Sequence, residues 1–210
     1  MRRPILFALA IASFAGAGLA EVVYAPPAYA SDAIDQSRAD TFDKKMFMRP
    51  PGNKAFACFM RRYDAEHLAR HPKQKAAAMK LLVAAEIAEG ETRLSYSFHL
   101  GVNFRRRAGD FKSSGYCNHA TAKDDGQEIR FACGVDCEGG GISVALSKDD
   151  KSAIVRLERI VLWKNGKPDD KDETELAGAG DRIFRLDRVD AQECASLLTD
   201  SEEVAALREP

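Results

Sequence analysis

Five cysteines and four histidines carry most of the reactive side-chain chemistry in this 210-residue chain. Cys117-x-His119, with Cys133 and Cys137 downstream, has the residue types of a zinc site. The C-x₃-C spacing of Cys133 and Cys137 is looser than a zinc knuckle. In an oxidising compartment the same cysteines form disulfides first. An odd number leaves at least one free or paired between chains. A turn centred on Asp125 sets Cys117 across from Cys133 on neighbouring strands, within reach of a disulfide, with Cys117–Cys137 as the competing choice. Cys58 and Cys194 then remain to tie the two ends of the domain together.

The histidines offer less. His67 and His71 share a helix face, but no Glu follows His67 and Pro72 ends the helix at once, so the metalloprotease pattern fails. His99 falls on the polar face of a strand, as a solvated or barrel-lining residue. No Gly-x-Ser-x-Gly elbow, P-loop or dinucleotide fingerprint occurs, so no catalytic residue, cofactor or metal is expected. Ala177-Gly178-Ala179-Gly180 is too short for such a fingerprint. Gly139-Gly140-Gly141 reads as a flexible loop rather than a backbone approach to a ligand. Two charge clusters stand out. Arg105-Arg106-Arg107 sits at a hairpin tip, where with His99 it supplies the candidate contacts to a ligand or partner. Asp169, Asp170, Asp172, Glu173 and Glu175 fill one loop without the spacing of a calcium-binding EF-hand.

The elements that must position these residues are short and β-rich. From Leu94 to Arg105 the chain alternates strictly: Leu94, Tyr96, Phe98, Leu100, Val102 and Phe104 on one face, polar or small residues on the other. That pattern belongs to an antiparallel strand with one face in a core. Ala76–Ile87 fits both helix and strand, and strand is favoured because Glu89-Gly90 stands where a hairpin turn would. Phe111–Cys117, Ile129–Val135, Ile142–Leu146, Ile154–Trp163 and Arg182–Val189 follow as strands. A phase shift near Arg159 implies a bulge, Asn165-Gly166 a turn, and Lys167–Gly180 a polar loop. Asp64 caps a short helix ended by Pro72, and Asp190 begins another near the C-terminus.

Turns at short intervals without interleaved helices imply an antiparallel meander of about seven or eight strands. A barrel-like closure is expected, with a sandwich as second choice and short helices near both ends. The expected organisation is a signal peptide over residues 1–30, a polar flexible lead over 31–54, one β-rich domain over 55–198, and a tail or short helix over 199–210.

Arg2 and Arg3, the uncharged run Ile5–Ala20 and the small-residue end Ala28-Tyr29-Ala30 have the order of a secretory signal. The run is shorter than the about 20 residues a membrane helix needs. Cleavage after Ala30 removes two of 31 basic and one of 32 acidic residues, leaving a net charge of −2. So balanced a chain has no overall attraction to nucleic acid or an anionic membrane. The expectation is a periplasmic or secreted, non-enzymatic binding domain for a small ligand or protein partner. The alternatives are a hydrolase using Cys137 or a histidine, and an envelope structural protein without a ligand. Export is expected to leave Ser31 as the first residue, with Glu21 as second choice. N-terminal sequencing checks this, and an intact Met1 in a membrane fraction refutes it.

Overall fold

A computed structural model describes residues 34–122, 128–136, 139–166, 173–176 and 182–208. The signal region, the Asp124–Gly126 turn, Cys137, Asp169, Asp170, Asp172 and the Ala177–Gly180 stretch lie outside these residues.

The fold is mainly β: a nine-stranded antiparallel meander that closes in a ring. β1 (Lys54–Arg62), β2 (Ala76–Glu86), β3 (Ser95–Phe104), β4 (Asp110–Thr121), β5 (Ile129–Gly134) and β6 (Gly140–Leu146) pair in sequence order. β7 (Ser152–Lys164) completes the circuit. It pairs with β6 on one side, and on the other with β8 (Glu173–Leu176) and β9 (Ile183–Val189). β9 pairs in turn with β1. Eight strands thus form the ring, and β8 rides on the far half of β7. The strand beyond the expected seven or eight is β8, which lies within the stretch expected as a polar loop. Four residues are too few to display a period.

The closure depends on a bulge and a glycine. Gly141 pairs with Arg159 while Ile142 pairs with Leu157, so Glu158 is the extra residue on β7. This accounts for the shift of buried positions from Val155 and Leu157 to Ile160 and Leu162. Gly140 has φ +79°, and a Cβ there would lie 2.0 Å from the Arg159 carbonyl oxygen. The expected flexible glycine loop is therefore corrected. Gly140 and Gly141 are strand residues, small because β5 and β7 approach them closely.

The interior is filled. Phe59, Phe98, Phe111, Phe131, Met79, Leu81, Leu100, Ile160, Leu162 and Leu176 are fully buried in one cluster. The lead segment expected over 31–54 also needs correction. Gln36–Phe47 is a 12-residue helix, α1, with Asp35 as N-cap accepting from the Ser37 N–H. Its Ala39, Phe42, Met46 and Phe47 are buried, and the last three join the core cluster. The stripe is real but short, and the polar residues between conceal it. Arg188 satisfies the far end of α1, donating to the carbonyls of Met46 at 2.7 Å and Lys45 at 3.1 Å. α2 spans Ala65–Arg70 behind its Asp64 cap.

A second, smaller cluster lies on the outer face of β1–β3. Here the 3-10 helix Ala191–Leu197 and α3 (Ser201–Ala206) fold back over Cys58 and Leu82. The Cys58–Cys194 disulfide fastens this segment across 136 residues of chain. The chain-entropy estimate for so long a loop is roughly 5 kcal/mol. Lys80 and Lys112 donate to the carbonyls of Glu193 (2.6 Å) and Ser196 (2.5 Å). Gly101 leaves room for Leu197, whose Cδ2 a Cβ would meet at 2.5 Å. α3 is the short helix expected over 199–210, and Leu207 just beyond it packs into this cluster.

Phe98 is fully buried inside the ring, whereas His99 faces outward beneath the C-terminal segment. Phe98→Ala is expected to cost about 3–5 kcal/mol through lost burial and cavity formation. His99→Ala is expected to cost clearly less. Urea unfolding of both variants checks this, and equal losses would show two equally packed faces.

Candidate functional site

Three places gather the residues with chemical potential. The first is the cysteine–histidine group. Cys117 and Cys133 are cross-strand partners on β4 and β5, with Cα atoms 4.0 Å apart, and they form a disulfide inside the ring. The hairpin register therefore removes both from metal binding. His119, two residues beyond Cys117 on the same face, turns instead to α1. Its Nε2 lies 2.8 Å from Oδ1 of Asp43, the N–H donating, and the Tyr96 hydroxyl donates to Oδ2 at 2.6 Å. Asp43 is only 3 % exposed. Burial, then the bond to Asp43, pushes the Tyr96 hydroxyl above its ordinary range. The rings of Phe42, Tyr96 and Phe131 surround the His119 imidazole. This network docks α1 over the end of the ring where β3 begins and β4 ends. Sequence reading missed it, because Asp43 is one acid among many in a polar stretch.

The second place is His99. It lines a cavity of about 150 Å³ with Lys112, Ser114, Trp163, Leu197 and Thr199. The interior-lining alternative is corrected: alternate residues of a strand face opposite ways, and Phe98 and Leu100 occupy the core. Burial, and secondarily the Lys112 ammonium, hold the imidazole below its ordinary value of 6.5.

The third place lies at the end of the ring opposite α1. Lys73 and Lys75, from the loop before β2, meet Arg105, Arg106 and Arg107 from the β3–β4 turn. Together with Phe104, Thr174 and Glu175 they line a cleft of about 250 Å³. Arg105 is committed to structure: its guanidinium donates to the carbonyls of His71 and Gln74, and its backbone N–H to Lys75. Arg107 lies over the Phe111 ring at 4.4 Å. Glu175, the one carboxylate of the cleft among the described residues, pairs with Arg159 at 3.6 Å. Among the described residues the cleft gathers five basic side chains and one acidic one, on a chain that is nearly neutral overall. Sequence reading found the arginines and missed the lysines. The signal was available: Ala76 pairs with Phe104, and continuing that register past the strand ends sets Lys75 against Arg105 and Lys73 against Arg107.

His67 and His71 stack on each other at 4.3 Å, and His67 on Tyr63 at 4.6 Å. His67 Nε2 lies 3.1 Å from Gln74 Oε1. They anchor the loop that carries Lys73 and Lys75. Among the described residues no three His, Cys, Asp or Glu side chains converge as a metal site, and no helix is long and apolar enough to cross a membrane. Cys58, Cys117, Cys133 and Cys194 are all in disulfides.

The chain matches no protein-family model, and neither a curated protein nor a solved structure is similar to it.

A histidine whose pKa is lower folded than unfolded binds fewer protons in the fold. The stability His99 contributes is therefore complete above its unfolded value of 6.5 and is lost as pH falls through its folded value. Between pH 7.5 and pH 5.5 the urea midpoint is expected to fall less in His99→Gln than in the wild-type protein. Parallel falls in the two would rule out His99 as the titrating group.

Proposed function

We propose that this protein is a non-enzymatic binding domain of the periplasm or extracellular space, which recognises an anionic ligand or partner at the basic end of its ring. The N-terminal charge and apolar pattern supports the location, as do two disulfides, which persist in oxidising compartments. Burial supports a surface mode of action. Aromatic and aliphatic side chains fill the interior, so recognition falls to the rims and the outer face. The carrying observation is the convergence of Lys73, Lys75, Arg106 and Arg107 from two separate turns on one cleft. Such a concave, predominantly basic surface raises the local concentration of counter-charged ligands. Cys137, the nucleophile of the hydrolase alternative, lies outside the described residues.

At neutral pH and low salt the protein is expected to be retained on a cation exchanger despite its negative net charge. The double substitution Lys73→Glu and Arg106→Glu is expected to abolish retention. Lys148→Glu, at the opposite end, is expected to leave it nearly unchanged. Matched thermal midpoints show that folding is not the cause. Equal retention of all three proteins would remove the basic end as the recognition surface.

A further inference from the structure

We infer that the basic cleft is a phosphate site, taking a phosphomonoester or diphosphate group whose organic remainder lies on Phe104. This rests on the reading of the basic end as the recognition surface and specifies its ligand.

The cleft is built before any ligand arrives. Arg105 ties the Lys73–Lys75 loop to the β3–β4 turn through the His71 and Gln74 carbonyls. Gln74, 8 % exposed, locks the same loop from beneath. Its Nε2 donates to the Ala76 carbonyl at 2.8 Å, and its Oε1 meets His67. The Arg107 guanidinium lies over Phe111, which packs edge-on against Phe104 at 5.1 Å. This contact limits the side-chain freedom Arg107 loses on binding, which favours affinity, and a guanidinium can grip two oxygens of one anion.

The distribution of donors selects the anion. Lys73, Arg106 and Arg107 are brought from two neighbouring turns to the same cleft. A carboxylate is planar and carries one charge, so one cation satisfies it. A phosphomonoester carries about two charges near neutrality and presents three oxygens in different directions, which cations from two turns can engage together. The volume of about 250 Å³ suits one or two phosphoryl groups with a short stem. Phe104 is the apolar surface of the cleft and meets that stem. Glu175 works against the anion, and its pairing with Arg159 keeps part of its charge occupied outside the cleft.

The test is a titration of ¹⁵N-labelled protein, purified as the cell processes it. The probes are inorganic phosphate, pyrophosphate, citrate, and phosphatidylcholine vesicles with and without phosphatidic acid. Pyrophosphate is expected to shift the amides of Lys73–Lys75 and Arg105–Arg107 and to bind at least about tenfold more tightly than citrate. Arg107→Lys keeps the charge but loses the stacked fork, and is expected to weaken pyrophosphate about tenfold. Glu175→Gln is expected to strengthen it several-fold, a change that mere damage to the fold would not produce. Binding of soluble pyrophosphate identifies a soluble phosphate source. Response to phosphatidic acid vesicles alone identifies a lipid headgroup, and either result supports the site. Citrate binding as well as pyrophosphate at the same amides overturns the phosphate assignment and leaves the anion-binding reading standing. No shift at these amides with any probe overturns both.

Discussion

The pairing of β7 with two neighbours at once is the constraint on which the rest depends. One edge of this strand takes β6, and the other takes β9, which returns the sheet to β1. Without it the meander would be an open sheet with two exposed edges, each a row of unpaired backbone groups. A long strand serving four partners, β4, β6, β8 and β9, must bend. The bend is made at Glu158, where one extra residue enters, and opposite it at Gly140, where no side chain fits. Ring closure brings Phe98, Phe111, Phe131 and Phe59 from distant points of the chain into one core. Turn positions follow from the closure as well, because every hairpin must then end at one rim or the other.

The two rims have opposite assignments. One is covered by α1, held by the Asp43 carboxylate between His119 and Tyr96 and by Arg188 at the helix end. A buried carboxylate is tolerated because two donors satisfy it. The other rim carries no comparable helix among the described residues, and there the basic turns converge. The outer face of β1–β3 is covered by the C-terminal segment, where Cys58–Cys194, Lys80 and Lys112 fasten polar and apolar residues together. His99 is caught under this cover, which is why its imidazole is harder to protonate than a solvated one.

Most of the architecture was legible because its signals have period two. The alternation from Leu94 to Phe104 marks β3 and its inward face, and the phase slip at Arg159 marks the bulge within one residue of where it occurs. Hairpin symmetry places Cys117 across from Cys133, since register within a hairpin is set by its turn. What escaped has short or distributed signals. α1 shows only four apolar residues at helical spacing within a polar stretch. β8 is four residues long. The partner of His119 lies 76 positions away, and nothing local marks Asp43 as different from the acids around it. The cleft was half legible. A run of three arginines is conspicuous, whereas two lysines separated by a glutamine acquire meaning only once the β2–β3 register is extended beyond its strands.

The filled core carries the functional argument further than any single side chain. A ring of eight strands is near the size at which an interior either just fills with side chains or holds one small ligand. Here four phenylalanines and several long aliphatic residues settle the choice by volume. The basic rim is one in which like charges are held close, at an electrostatic cost that the fold must offset elsewhere. Arg105 shows how that is done: its charge is spent on backbone carbonyls, fixing the loops so that the neighbouring cations face the cleft. The convergence of Lys73, Arg106 and Arg107 in an otherwise balanced chain is the observation on which the proposed binding role rests.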